Sequence, residues 1–184
     1  MAENEGVLES APAELTQEQW EKEREEFLAK YPDLPLPKPI PCLDLIMKRE
    51  WAEKILMGEK KIEFRDYTEH YANRLFDKET MDYIDEHLDD EEFMAGYEYI
   101  FSPMRQVETI HFHNYNKSWY LDVEVDINAV IEATQEDADY LHDEYGCDEL
   151  YEDVEWQKQH PKEDITKFFY FVIKDVIDTN LETK

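Results

Sequence analysis

The chain has 184 residues, 42% of them hydrophobic and 14% aromatic, which is enough apolar material for one ordinary domain with a sizeable core. Its 47 acidic and 19 basic residues give a formal net charge of −28, and the resulting repulsion of phosphate excludes a generally basic nucleic-acid binder. No apolar run reaches the ~18 residues that a membrane helix needs, and the acidic N-terminus is unlike a signal peptide. We therefore expect a cytoplasmic protein with no membrane partner, in which a local basic site inside the acidic shell remains compatible with the charge.

The N-terminal part, residues 1–41, is predicted to be an acidic extension to the folded domain. Thr16 and Gln19 have the spacing of a capping box, which predicts a helix that runs to about Lys30. The prolines of residues 31–41 then favour an extended spacer, because each one fixes φ and disfavours helix before it. Residues 1–15 are expected to be frayed.

Residues 42–184 are predicted to form the folded domain. Its strands are indicated by alternating polar and apolar residues or by a continuous apolar run, and they are expected to form one sheet. The strands are expected at 42–47, 61–65, 107–113, 119–125 and 167–173. Because the strands are not each followed by a helix, an all-parallel α/β fold is disfavoured. The pattern indicates an α+β fold, with a small mixed β-barrel and peripheral helices.

Between and after these strands, apolar spacing predicts helices at 48–57, 80–88 and 134–145. Gly58 and Gly146 are placed to end two of them in a left-handed conformation. The acidic run at 89–92 is interpreted as a solvated loop, 97–101 as a further strand, and 148–164 as an irregular acidic stretch.

The distribution of charge provides the best functional clue. Residues 41–75 hold seven acids and seven bases, whereas residues 76–184 hold thirty acids and eight bases. Within the neutral window, Lys61, Glu63 and Arg65 alternate along one predicted strand face. Two cations and a carboxylate can hold an anion and accept a base N–H; the alternative is a solvated face on which these charges neutralise one another.

Two further groups of polar residues lie on or beside the predicted strand 107–113. His111 and His113 share a strand face as a candidate metal pair, but no third ligand can be named, so the sequence predicts no metal site. Asn114 and Tyr115 lie in the following turn, where they are candidates for reading or stacking on a base. For Asn114 and Tyr115, the alternative is that they only form the turn.

The segment from Trp51 to Arg65 resembles the opening helix, turn and strand of ASCH domains, in the PUA-like superfamily. Gly58, Lys60, Glu63 and Arg65 match its pattern G-x-K-x-x-E-x-R, and the resemblance extends over about residues 42–178. It implies a small PUA-like mixed β-barrel that binds RNA or nucleotides in a cleft beside this segment.

We therefore predict a module that holds a nucleotide or short single-stranded RNA, without a cofactor. The predicted ligand-binding residues are Lys60, Lys61, Glu63, Arg65, Tyr67, Asn114 and Tyr115. The cations would contact phosphate, and Glu63 would accept a hydrogen bond from an exocyclic amine.

Two alternatives remain open from the sequence. A sub-group of the ASCH family is an amidohydrolase of a modified nucleoside, but it carries threonine as the proposed nucleophile where this chain has Glu63. In an enzyme of that kind, Lys60 would act as the base and Glu63 would activate a water. The acidic shell alternatively favours an interaction protein that docks on a basic protein partner.

Overall fold

The computed structural model describes residues 15–182, apart from the side chains of residues 98 and 99. The expectation of a frayed segment over 1–15 therefore lies almost wholly outside the described residues. The chain divides into two compact units. The smaller unit contains the described residues up to Pro35 together with Asp82–Ser102, and the larger one contains Leu36–Met81 and the described residues from Pro103 onwards.

Seven helices and five strands make up the regular structure of the described residues. The helices are α1 (Gln17–Lys30), α2 (Arg49–Leu56), α3 (Glu69–Leu75), α4 (Lys78–Glu86), α5 (Glu91–Ile100), α6 (Gln135–Tyr145) and α7 (Leu150–Gln159). The strands are β1 (Leu43–Ile46), β2 (Ile62–Asp66), β3 (Thr109–His113), β4 (Tyr120–Glu132) and β5 (Lys167–Thr179). None of the helices described is both long enough and apolar enough to cross a membrane.

The smaller unit is organised by an aromatic contact between α1 and α5. The capping box predicted at Thr16 and Gln19 is present and begins α1. From α1, Phe27 packs against Phe93 of α5 with ring centroids 5.6 Å apart. The strand predicted at 97–101 is wrong, because these residues continue the α5 helix or directly follow it.

The predicted loop at 89–92 is also wrong in its second half, because α5 begins at Glu91. Asp90 caps this helix, since its carboxylate accepts hydrogen bonds from the backbone N–H groups of Glu92 and Phe93. The acidic run therefore contains the N-terminus of a helix, where negative charge is favourable.

The larger unit is built on one mixed sheet, which contains all five predicted strands. The strand order is β1-β3-β4-β5-β2; β1 and β3 are parallel and the other pairs are antiparallel. This confirms the α+β class. Both β4 and β5 have 13 residues and extend well beyond the predicted ends, with register shifts in their pairing that interrupt the simple alternation.

The sheet is curled like half of a barrel, and a side chain joins its two edge strands. Arg65 on β2 donates a hydrogen bond from Nη2 to the carbonyl of Ile46 at the end of β1, at 3.0 Å. Because β1 and β2 are the two ends of the strand order, this bond connects edges that are otherwise unpaired with each other.

Each face of the curled sheet carries its own apolar core. On one face, Ala52 and Ile55 of α2 pack with Phe169 and Phe171 of β5. On the other, Leu141 of α6 and both Leu150 and Val154 of α7 pack with Ile62 and Val172. The irregular stretch predicted at 148–164 is wrong for Leu150–Gln159, where Leu150 and Val154 lie four residues apart and form the buried stripe of α7. Residues 160–164 are irregular, as predicted.

Candidate functional site

The segment from Gly58 to Arg65 turns the chain from α2 into β2. Gly58 has a φ of +76°, the left-handed conformation that the sequence predicts for it. The turn is closed by a hydrogen bond from the Gly58 N–H to the Ile55 carbonyl at 3.0 Å. It places Lys60 immediately before the edge strand, with Glu63 and Arg65 on the strand itself.

Lys60, Glu63 and Arg65 form an ionic network with a fourth residue, Glu149, which directly precedes α7 and whose side chain is 49% exposed. The Nζ of Lys60 lies 2.8 and 3.1 Å from the two carboxylate oxygens of Glu149, and 3.8 Å from Oε2 of Glu63. Arg65 Nη2 lies 2.8 Å from Oε1 of Glu63. Only 8% of Lys60 and 7% of Glu63 remain exposed.

Burial dominates the electrostatics of this network. Desolvation raises the pKa of Glu63 above its ordinary value, although the charges of Arg65 and Lys60 oppose the rise. The Nε of Arg65 is buried without a hydrogen-bond partner in the described part of the chain. The network therefore stabilises one arrangement of β2, α7 and the β1 edge, at a considerable cost in desolvation.

This arrangement changes the expected role of the two cations. The sequence predicts that Lys60 and Arg65 contact phosphate, but in the structure both donate to protein acceptors. In place of the solvated face considered for Lys61, Glu63 and Arg65, the structure has Glu63 buried and paired with Arg65 and Lys60, with Lys61 exposed.

Beside the network lies a cavity of about 470 Å³, which we call the aromatic cleft. Its walls come from α2, β2, β5 and the start of α7. It is lined by Trp51, Lys54, Phe64, Glu149, Leu150, Glu152, Asp153 and Phe168. Its volume lies within the range of small-molecule sites in proteins.

The aromatic cleft combines three aromatic rings with an excess of negative charge. Three carboxylates and one ammonium group line it. That ammonium, on Lys54, lies 4.6 Å from the centroid of the Trp51 ring, and the Nζ of Lys60 lies 5.4 Å from the same ring. Burial, followed by the charge of Glu152, raises the pKa of Asp153.

Lys61 and Tyr67, two of the predicted ligand residues, flank β2 outside this lining. Lys61 is exposed and lines a second cavity of about 460 Å³ with Gly58, Lys60 and Lys174 among its other walls. Tyr67 is 43% exposed and stacks on Phe169, with ring centroids 4.8 Å apart.

Asn114 and Tyr115 lie on the turn between β3 and β4. Asn114 holds this turn together, because its side chain bonds Ser118 through both Oδ1 and Nδ2, at 2.8 and 2.6 Å. Tyr115 is 89% exposed. The hydrogen bonds of Asn114 thus lie within the turn and not with Lys60, Glu63 or Arg65.

The two strand histidines are each bound to a carboxylate. His111 Nδ1 lies 2.5 Å from Asp122, and His113 Nε2 lies 2.5 Å from Asp44. His113 Nδ1 also lies 2.8 Å from the Asn114 carbonyl, so both of its ring nitrogens face acceptors. In the part of the chain that the structure describes, no group of three metal-ligating side chains is arranged to hold an ion.

None of the seven predicted ligand-binding residues lines the aromatic cleft. Trp51, which is 38% exposed, was not among the predicted ligand residues. Glu149, Glu152 and Asp153 were assigned to an irregular acidic stretch. The spacing of Leu150 and Val154 was the available signal, because a helix there brings these acids to one region.

Comparison of the chain with protein-family models, with curated proteins and with solved structures gave no match. The assignment of a function therefore depends on the geometry of the aromatic cleft.

Proposed function

We propose that the larger unit is a PUA-like, ASCH-type binding module that holds one nucleobase in the aromatic cleft. The base would belong to a nucleoside or to a short single-stranded RNA. The observation that carries this proposal is a cavity of about 470 Å³, large enough for a nucleobase and lined by three aromatic rings, next to the Gly58–Arg65 segment. This is where the resemblance to ASCH domains implies a ligand cleft.

The aromatic rings would supply most of the affinity. Bases stack on aromatic side chains with about 1–3 kcal/mol each, largely independently of sequence. Trp51 offers a large and partly exposed ring for this purpose, and Phe64 and Phe168 contribute apolar walls. A flat, weakly charged ligand fits such a lining better than a hydrated polar one does.

The carboxylates would select the edge of the base. Carboxylate oxygens accept hydrogen bonds from exocyclic amines, as in the pairing of Glu or Asp with the N4 amine of cytosine. Glu149 and Asp153 are the lining residues suited to this role. The phosphate would lie outside, because the three carboxylates of the lining repel it.

The test is a titration of the protein with the four common nucleosides, monitored by calorimetry. Trp51→Leu should weaken binding by about 5- to 100-fold, the equivalent of one lost stacking contact. Trp156→Leu is the matched control, because Trp156 is similarly exposed but stacks on His160 and does not line the aromatic cleft. Its affinity should equal that of the wild type.

A second arm separates base recognition from phosphate recognition. Nucleoside monophosphates should bind no more tightly than nucleosides, and Lys61→Ala should leave both affinities unchanged. Failure of all nucleosides to bind at millimolar concentration, or equal loss in the two tryptophan variants, would reject the proposal. Tighter binding of monophosphates that depends on Lys61 would move the site to the second cavity.

A further inference from the structure

The charge of the aromatic cleft restricts the class of ligand further than its shape does. Its charged lining residues are three carboxylates and one ammonium; Glu149 is paired with Lys60, so a neutral ligand leaves Glu152 and Asp153 facing the single ammonium of Lys54. Asp153 is partly buried, which strengthens its Coulomb interactions relative to water, whereas Lys54, Glu149 and Glu152 are exposed. A ligand with a positive charge would therefore gain more here than its neutral counterpart.

We propose that the aromatic cleft prefers a positively charged base, such as one methylated on a ring nitrogen, over neutral bases. This inference deepens the proposed function and depends on it. It rests on the combination of the Trp51, Phe64 and Phe168 rings with the carboxylates of Glu149, Glu152 and Asp153. The face of an aromatic ring attracts cations, and a neighbouring carboxylate adds a charge-assisted contact.

The protein's own side chains illustrate this preference. The ammonium groups of Lys54 and Lys60 both lie within 6 Å of the Trp51 ring centroid, at 4.6 and 5.4 Å. The ring is therefore already a site for cations. Lys60 is bound to Glu149 and buried, whereas Lys54 lines the aromatic cleft itself and would compete with a charged ligand.

Asp153 is partly buried and shares the lining with a second carboxylate, that of Glu152. Its pKa is raised, first by burial and then by the neighbouring charge of Glu152, with Asp66 adding a smaller effect in the same direction. A group in such a position is stabilised by an incoming cation. Glu149 differs, because it already accepts hydrogen bonds from Lys60.

The experiment compares isomeric ligands that differ in charge but not in composition. At neutral pH, 1-methyladenosine is a cation and N6-methyladenosine is neutral. We expect the wild-type protein to bind the cation about tenfold more tightly. A second pair, 3-methylcytidine against 5-methylcytidine, repeats the comparison on a smaller base.

Variants then assign the preference to the carboxylates. Asp153→Asn should weaken binding of both isomers, because it removes an acceptor for the base, and should weaken the cation more, so that the cation-to-neutral ratio falls at least threefold. Lys54→Gln should tighten binding of the cation, because it removes the competing ammonium. The matched control is Glu155→Gln: Glu155 lies on the same helix and pairs with Lys158, but does not line the aromatic cleft, so its ratio should equal that of the wild type.

The outcomes distinguish the inference from the function on which it depends. Equal affinities for the isomers in both pairs would overturn the charge preference and leave the nucleobase site standing. Binding of neither isomer would overturn both. A simple quaternary ammonium ion such as choline should bind at least tenfold more weakly than 1-methyladenosine; equal binding would show a general cation site and reject base recognition.

Discussion

Arg65 is the residue whose loss should reveal how the edges of the sheet are held together. Substitution of methionine for Arg65 keeps an apolar stem of similar length but removes the guanidinium group. Glu63, which is buried, then loses the nearer of its two cations, and the Ile46 carbonyl loses a donor. The variant Arg65→Met should be strongly destabilised.

The size of the effect follows from the contacts of Glu63. Breaking a buried ion pair by removing one partner costs about 3–5 kcal/mol. The lower end applies, because Lys60 Nζ remains 3.8 Å from the other carboxylate oxygen. We expect a loss of about 3 kcal/mol, or about 6–12 °C in Tm for a chain of this size.

The pH dependence has a defined sign. Burial raises the pKa of Glu63 above its ordinary value of 4.5. Between pH 4.5 and the raised pKa, the folded state therefore binds more protons than the unfolded state does. Glu63 therefore reduces stability as the pH rises through this window. Loss of Arg65 raises the pKa of Glu63 further, so the destabilisation should be smaller at pH 5 than at pH 7.5.

Calorimetric unfolding of four proteins provides the measurement. The double variant Arg65→Met/Glu63→Met should recover most of the loss, because apolar residues of similar volume often replace a buried ion pair without net cost. Arg49→Met is the matched control, since its pair with Glu53 is on the surface and is worth about 0.5 kcal/mol or less. If the single and double variants melt at the same temperature, the buried charge of Glu63 is not the cause of the loss.

Three further variants test local features. The hydrogen bond between His113 and Asp44 raises the pKa of His113 above 6.5 and lowers the pKa of Asp44 below 3.8. The wild type should therefore exceed His113→Gln in stability by most between pH 3.8 and pH 6.5, where both groups are charged. This difference should fall in acid and again as the pH rises through the raised pKa, and a constant difference in Tm from pH 3 to 9 would contradict this. Gly96→Ala should cost about 1–3 kcal/mol and speed amide exchange in α1, because its Cβ would lie 2.6 Å from Cδ2 of Phe27. Gly58→Ala should lower the free energy of unfolding in urea by about 1–2 kcal/mol, because Gly58 has a φ of +76°. No clash adds to this backbone strain, since no atom lies within 4 Å of the new Cβ, and unchanged stability would refute the strain.

The elements predicted from sequence are those whose signals are local. Thr16 and Gln19 cap α1, and Gly58 and Gly146 have the left-handed conformations that their positions predict. The error at 97–101 has a physical reason. A short apolar run fits a buried strand as well as a helix, and the choice here depends on packing against α1, which the sequence does not display.

The candidate site was predicted in part, for a similar reason. Gly58, Lys60, Glu63 and Arg65 are close in sequence, so their grouping needs only the turn between α2 and β2. Glu149 lies 89 residues beyond Lys60, and nothing in the composition of an acid-rich chain selects it from its neighbours. The aromatic cleft could not be predicted without that pairing, because it depends on where α7 begins.

The ionic network and the aromatic cleft should therefore respond differently to substitution. Lys60 binds Glu149 and holds the start of α7 beside α2, so its role in binding is to shape the cleft. Lys60→Met should weaken N6-methyladenosine about tenfold if the contact that shapes the cleft is lost, and 1-methyladenosine less, because Glu149 then loses its counter-ion. Asp153→Asn should instead lower the preference for the cation. If Lys60→Met lowers the preference for the cation, as Asp153→Asn is expected to do, the ammonium of Lys60 does not oppose a cationic ligand and this account of the network is wrong.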